Sequence, residues 1–132
     1  RGIERYLAGA NPRLYLSNTL KRTFPRGMDF EIFSFELLDE AFREAREPAE
    51  REHVTPYFYR QERPNISVEQ ITQNRDESDV RLTLDTPEDE RLLRTLIEDH
   101  GATRLNHNEL ARLLADHPEL AAINRHVEQK KL

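Results

Sequence analysis

Carboxylates carry the strongest chemical signal in this sequence. In Asp85-Thr86-Pro87-Glu88-Asp89 an acidic residue closes an alternating apolar stretch and directly precedes a helix start. Read as strand then helix, this places Asp85 at the carboxyl end of a strand, the edge where open α/β sheets bind ligands. A carboxylate there can hold Mg²⁺, which takes one or two carboxylates together with phosphate oxygens. Asp89 is the second candidate ligand. The same residues also read as a well-built helix N-terminus, with Thr86 as cap, Pro87 at the first position and Asp89 at the third. Glu88 and Asp89 complement the helix dipole there. Spacing alone leaves both readings open.

A second pair, Asp29 and Glu31, shares one face of a predicted strand beside Arg26-Gly27. Two carboxylates next to an arginine suit a polyhydroxy ligand or a metal; an edge strand with a solvated face explains them equally well. Arg22 and Arg26 flank Phe24-Pro25 in a loop and match phosphate or a sugar carboxylate; a solvent-exposed turn is the alternative. His53, with Thr55 and Tyr57, lies near a bend imposed by Pro56, either lining a pocket or capping the bend. His100, His107, His117 and His126 lack metal-site spacing, and no glycine-rich phosphate loop or nucleophile turn is present.

These residues need elements to hold them. Arg1–Ala8 has helical spacing in Ile3, Tyr6 and Leu7. Leu14–Leu20, Asp29–Phe33, Ile66–Gln73 and Val80–Leu84 read as strands. In the last of these Val80, Leu82 and Leu84 face one side and Arg81, Thr83 and Asp85 the other. Ser34 caps a helix to about Arg46 whose stripe is Leu37, Leu38, Ala41, Phe42 and Ala45. Pro48 opens the next helix, and Tyr57-Phe58-Tyr59 is an aromatic anchor. The helix after Thr86 uses Leu92, Leu93, Leu96 and Ile97 and stops at Gly101. Asn106 caps another, ended by His117-Pro118, and Glu119–Val127 forms the last. Strands alternating with helices make the class α/β. The tail 128–132 is expected to be loose.

Composition bounds the function. The chain has 132 residues, 20 basic and 25 acidic, for a net charge of −5. That balance opposes general nucleic-acid binding, which needs a basic face. No apolar run is long enough to span a membrane and no secretory signal is visible. With no cysteine, disulfides and thiolate chemistry are excluded, which fits a cytoplasmic location. The sequence opens at Arg1 in mid-helix style, so it is expected to be a piece of something longer.

Taken in order, several segments resemble the spore coat polysaccharide biosynthesis cytidylyltransferases of the SpsF type. They are Tyr15-Leu16-Ser17-Asn18-Thr19-Leu20, Arg22-Thr23-Phe24-Pro25-Arg26-Gly27-Met28-Asp29-Phe30-Glu31-Ile32-Phe33, and Arg51-Glu52-His53-Val54-Thr55-Pro56-Tyr57. Leu84-Asp85-Thr86-Pro87-Glu88-Asp89 and the ending His117-Pro118-Glu119-Leu120, Ile123-Asn124, Val127 and Gln129-Lys130 continue the match. Met28 and Phe30 depart mildly from the pattern, and Gln61–Asp79 matches poorly.

The resemblance implies a nucleotide-diphospho-sugar transferase fold, Rossmann-like, with a mainly parallel sheet and helices on both sides. This chain would be its C-terminal half, a single partial domain. The implied reaction is Mg²⁺-dependent transfer of CMP from CTP to an acidic or modified sugar, releasing pyrophosphate, by an enzyme that is a likeness of the acylneuraminate and KDO cytidylyltransferases. The implied metal ligand is Asp85, with Asp89 second. Arg26, Asp29 and Glu31 would line the sugar side, joined by Arg22, His53 and Thr55. A homodimer is implied as well. The triphosphate-cradling loop of the family is not among these residues, so the chain alone is expected to be inactive. The alternative is a non-catalytic interaction or dimerisation module.

Overall fold

A computed structural model describes residues 2–128. Of the tail expected to be loose, 129–132 lie outside the described residues. Two compact units are formed. The first uses the chain before Phe24 together with Asp29–Asn74. The second uses Phe24–Met28 and the chain from Arg75 onward.

The first unit contains α1 (Gly2–Gly9), β1 (Leu14–Ser17), β2 (Glu31–Ile32), α2 (Phe35–Glu44), α3 (Pro48–His53), α4 (Pro56–Tyr59) and β3 (Ser67–Gln70). Its sheet runs β2-β1-β3. The central β1 is parallel to β3, with Leu14 opposite Ser67, and antiparallel to β2, with Leu16 opposite Ile32. The α/β expectation is thus met as a mixed chain with a small sheet, in which one of the two pairings is parallel. All of β1 is buried, so its alternation does not separate a dry face from a wet one. The three strands here are shorter than their sequence patterns suggest.

Local chemistry accounts for the helices of this unit. Ser34 Oγ accepts from the Leu37 N–H at 3.1 Å and donates to the Pro12 carbonyl at 2.8 Å, closing the start of α2. Pro48 opens α3 inside a capping box made by Glu47 and Glu50. Val54 at φ +61° then breaks the helix ahead of Pro56. The core joins Leu37, Ala41 and Ala45 of α2 to Tyr15, Tyr57, Phe58 and Ile66. Phe58 lies 5.3 Å from Tyr15 and 4.9 Å from Phe33 between ring centroids. Such pairs add about 0.5–1.5 kcal/mol each beyond their buried area. Only part of the predicted α2 stripe faces inward, because Phe42 is 71% exposed.

The second unit contains α5 (Pro87–Glu98), a short 3₁₀ helix (Ala102–Arg104), α6 (His107–Asp116) and α7 (Pro118–Ala122). The 3₁₀ turn has no counterpart in the sequence reading, and the last helix is shorter than the expected Glu119–Val127. Leu92, Leu96, Leu114 and Leu120 form the core, with Val80, Leu82, Leu110 and Ile123 packed against it. Gly101 stops α5 in the left-handed region at φ +61°. Among the described residues no helix is long and apolar enough to cross a membrane.

The strand expected at Val80–Leu84 is corrected. It is reduced to one parallel bridge between Arg26 and Arg81. The Arg26 N–H donates to the Val80 carbonyl at 2.9 Å, and the Leu82 N–H donates to the Arg26 carbonyl at 2.7 Å. The expected facing fails too: Leu84 is exposed while Arg81 is buried. The reason is an ion pair with Asp89 that draws Arg81 inward.

Candidate functional site

The Asp85–Asp89 segment is built around Arg81. Arg81 is 6% exposed and Asp89 is fully buried. Arg81 Nε donates to both Asp89 carboxylate oxygens, at 3.0 and 3.2 Å, and Nη2 reaches Oδ2 at 3.0 Å. Asp89 also accepts from Thr83 Oγ1 at 2.8 Å, from the Asp85 N–H at 3.0 Å and from Asn124 Nδ2 at 2.7 Å. Asn124 Nδ2 further donates to the Arg81 carbonyl at 3.0 Å. Every polar partner a buried carboxylate requires is therefore supplied by protein.

Thr86 starts α5 as the sequence implies: its Oγ1 accepts the Asp89 N–H at 3.3 Å. The Asp89 backbone thus serves the cap, while its side chain turns inward to Arg81. Asp85, one residue before the cap, has a side chain 63% exposed, and its Oδ2 accepts Arg81 Nη2 at 2.9 Å. One arginine therefore reaches both carboxylates. It leaves the exposed one facing solvent and neutralises the buried one.

Burial by itself would raise the Asp89 pKa. Arg81 foremost, then the Asp85 N–H, Thr83 and Asn124, favour the ionised form and hold it well below the usual carboxylate range. A folded-state pKa below the unfolded one contributes stability that is complete above the unfolded pKa, about 3.9 for an aspartate. That contribution is lost as pH falls through the folded value. Urea midpoints followed by helix circular dichroism are thus expected to drop between about pH 5 and about pH 3, and to drop less in Asp89→Asn. Equal pH sensitivity of the two proteins would contradict this role.

The other candidates divide between the units. In the first, Arg22 donates to the Asp29 carboxylate from both terminal guanidinium nitrogens, Nη2 at 3.1 Å, so the two candidates pair with each other. Glu31 accepts the hydroxyl of buried Tyr15, whose pKa is pushed up by burial first and by Glu31 second. His53 ends α3, with Nε2 3.7 Å from Glu52. The Thr55 N–H donates to the His53 carbonyl at 2.6 Å, which places both residues in the turn between α3 and α4. In the second unit, Arg26 sits on the bridge to Arg81 and borders a cleft with Arg81, Asn124 and Arg125.

Sequence reasoning singled out neither Arg81 nor Asn124 as a site residue. Arg81 shared the face assigned to Thr83 and Asp85, and Asn124 stood within the C-terminal segment that carried the resemblance. An asparagine beside the apolar Ile123 in the last predicted helix was the available signal.

Mg²⁺ fits this segment through one side chain. Asp89 is fully engaged by Arg81 and its companions, whereas Asp85 is exposed and offers a carboxylate to a cation that completes its shell with phosphate oxygens and water. Among the described residues no group of three or more histidine, aspartate or glutamate side chains could hold a metal alone.

The chain is similar in structure to a cytidylyltransferase from Leptospira borgpetersenii serovar Hardjo-bovis. The TM-score is 0.83 at 28% identity, covering 98% of this chain and 53% of that one. It is also 32% identical over 107 residues to an uncharacterized protein of Methanocaldococcus jannaschii, covering 79% of this chain and 43% of the relative. The chain thus spans about half the length of these proteins. No protein-family model matches the sequence.

Proposed function

We propose that this chain is the sugar and metal side of a nucleotidyltransferase that moves CMP from CTP onto an acidic or modified sugar. The reading rests on the likeness to a cytidylyltransferase. The observation that carries it is Asp85: an exposed carboxylate at the start of α5, oriented by a buried Arg81–Asp89–Asn124 network. In the reaction a sugar hydroxyl oxygen forms a bond to the α-phosphorus and the bond from that phosphorus to the β-phosphate bridge breaks. Pyrophosphate departs and the hydroxyl proton is lost.

Bound Mg²⁺ would supply positive charge to the phosphate oxygens. Asp85 would hold it, while Arg81 fixes the carboxylate's direction. Asp89 serves as a positioning residue in this reading, not as a second ligand, because its oxygens are committed to Arg81. Arg26 would face the sugar side, whereas Arg22, Asp29, Glu31, His53 and Thr55 are used in local pairs and turns. The product would feed surface or spore-coat polysaccharide synthesis in the cytoplasm, and the complete enzyme would be a homodimer.

Asp85→Ala in the complete protein is expected to slow Mg²⁺- and CTP-dependent pyrophosphate release by about 10–100-fold, the usual scale for disturbing a metal site. An unchanged rate would remove the metal role. The 132-residue chain alone is expected to release none.

A second reading, a non-catalytic interaction module, is favoured by one feature. Phe35 is 80% exposed and shares an apolar groove with Leu38 and Phe42 on α2. Turnover by the complete protein would reject it.

A further inference from the structure

Strand β3 is a sheet edge. It pairs with β1 on one side, and among the described residues no strand pairs with it on the other. The Ser67 and Ile71 N–H groups donate to the Arg13 and Ser17 carbonyls, each at 2.8 Å. Successive residues of a strand bond to opposite sides, so Val68 and Gln70 present their N–H and C=O groups outward. We propose that this edge binds β3 of a second copy of the chain, antiparallel, with a twofold axis at Val68 joining the two sheets.

Backbone chemistry sets the kind of occupant. Donors and acceptors alternating at the strand repeat are matched by another extended strand. The side chains along the same edge are apolar. Val68 is 43% exposed, although it shares a strand face with Ile66, which belongs to the core. Leu20, also half exposed, and Tyr59 line a groove of about 660 Å³ with them. A strand laid along β3 covers that margin and continues the core face.

The residues brought together favour self-pairing. With the axis at Val68, Val68 faces its own copy, Ser67 faces Glu69 and Ile66 faces Gln70, so no like charges stand opposite. An axis at Glu69 would oppose two carboxylates, which fixes the register. Glu69 is the one charged residue of β3, and Arg5 bonds to it at 2.7 Å. Natural edges are kept from pairing by charge, proline or bulges. Within β3 the charge is paired and no proline is present.

The pairing gives a surface to the homodimer proposed above, and it stands whether or not the chain belongs to a transferase. A strand of 4 residues makes a small interface. Dissociation constants between about 1 µM and about 1 mM are expected, as for interfaces below about 1,200 Å².

Sedimentation equilibrium of the 132-residue chain over a concentration series is the test. Val68→Pro removes an outward N–H and leaves the bonds to β1 in place. Val68→Lys sets two like charges opposite each other. Each variant is expected to weaken association by about tenfold or more, because the twofold axis doubles every loss. Val68→Ile should retain the dimer. Amide exchange gives a second readout: protection at Val68 should rise with concentration, while protection at Ser67 and Ile71 stays constant. Near-ultraviolet circular dichroism of Tyr15 and Tyr57, both in the core of this unit, checks that the variants fold. If Val68→Pro fails that check, Val68→Lys carries the test. A chain that stays monomeric up to about 1 mM would overturn the proposal. So would a dimer indifferent to Val68→Lys, or one abolished by Phe42→Asp on α2 instead.

Discussion

Asp89→Ala is expected to destabilise the second unit by about 4 kcal/mol, near the middle of the range for breaking a buried ion pair from one side. The variant strips buried Arg81 of its partner and leaves the Thr83 hydroxyl and the Asp85 and Asn124 donors short of an acceptor. The exposed carboxylate of Asp85 still faces the guanidinium. Tyrosine signals cannot report this, since Tyr6, Tyr15, Tyr57 and Tyr59 all lie in the first unit. Amide hydrogen exchange along α5, α6 and α7 is the appropriate measurement. A loss below about 1 kcal/mol would mean that the pair is not what holds this unit together.

The companion Arg81→Ala should cost a similar amount, because it leaves a buried carboxylate without its counter-charge. The double variant should cost much less than the sum, since no orphaned charge remains. Full additivity would show that the two residues act separately.

Gly27→Ala is the second large effect. Gly27 has φ +95°, and an added Cβ would stand 2.1 Å from the Leu82 carbonyl oxygen. Backbone cannot yield as a flexible side chain can, so the Arg26–Arg81 bridge has to open. Backbone strain of about 1–3 kcal/mol adds to two lost hydrogen bonds of about 1 kcal/mol each. A total of about 3–5 kcal/mol is expected from chemical denaturation, with exchange protection lost at Leu82 first. Gly101 is the control. It is also left-handed, at φ +61°, but an added Cβ meets nothing within 4 Å. Gly101→Ala should cost about 1 kcal/mol, the conformational part alone. Equal costs at the two glycines would show that the close approach at Gly27 is unimportant.

The sequence by itself determined the local punctuation of this protein. Ser34, Thr86 and Asn106 cap the helices assigned to them, and Pro48 and Pro87 open theirs. The aromatic run at Tyr57–Tyr59 supplies the buried Tyr57 and Phe58. These features depend on bonds between residues two or three apart, so neighbouring residue types suffice to read them. Asp85 before a helix start was legible for the same reason.

Tertiary structure decided what the carboxylates are free to do. Asp29 and Glu31 read equally as a ligand-facing pair or as a solvated edge-strand face, and in the fold their partners are Arg22 and Tyr15. Asp85 and Asp89 both read as candidate metal ligands in the sequence, Asp85 first, but one is exposed and the other buried. Their difference is set by Arg81, eight positions from Asp89, and by Asn124, thirty-five positions from it. The alternation at Val80–Leu84 predicted a strand because it records only side-chain polarity. Burying an arginine there is favourable only once a distant carboxylate and amide can satisfy it, and no local pattern carries that information.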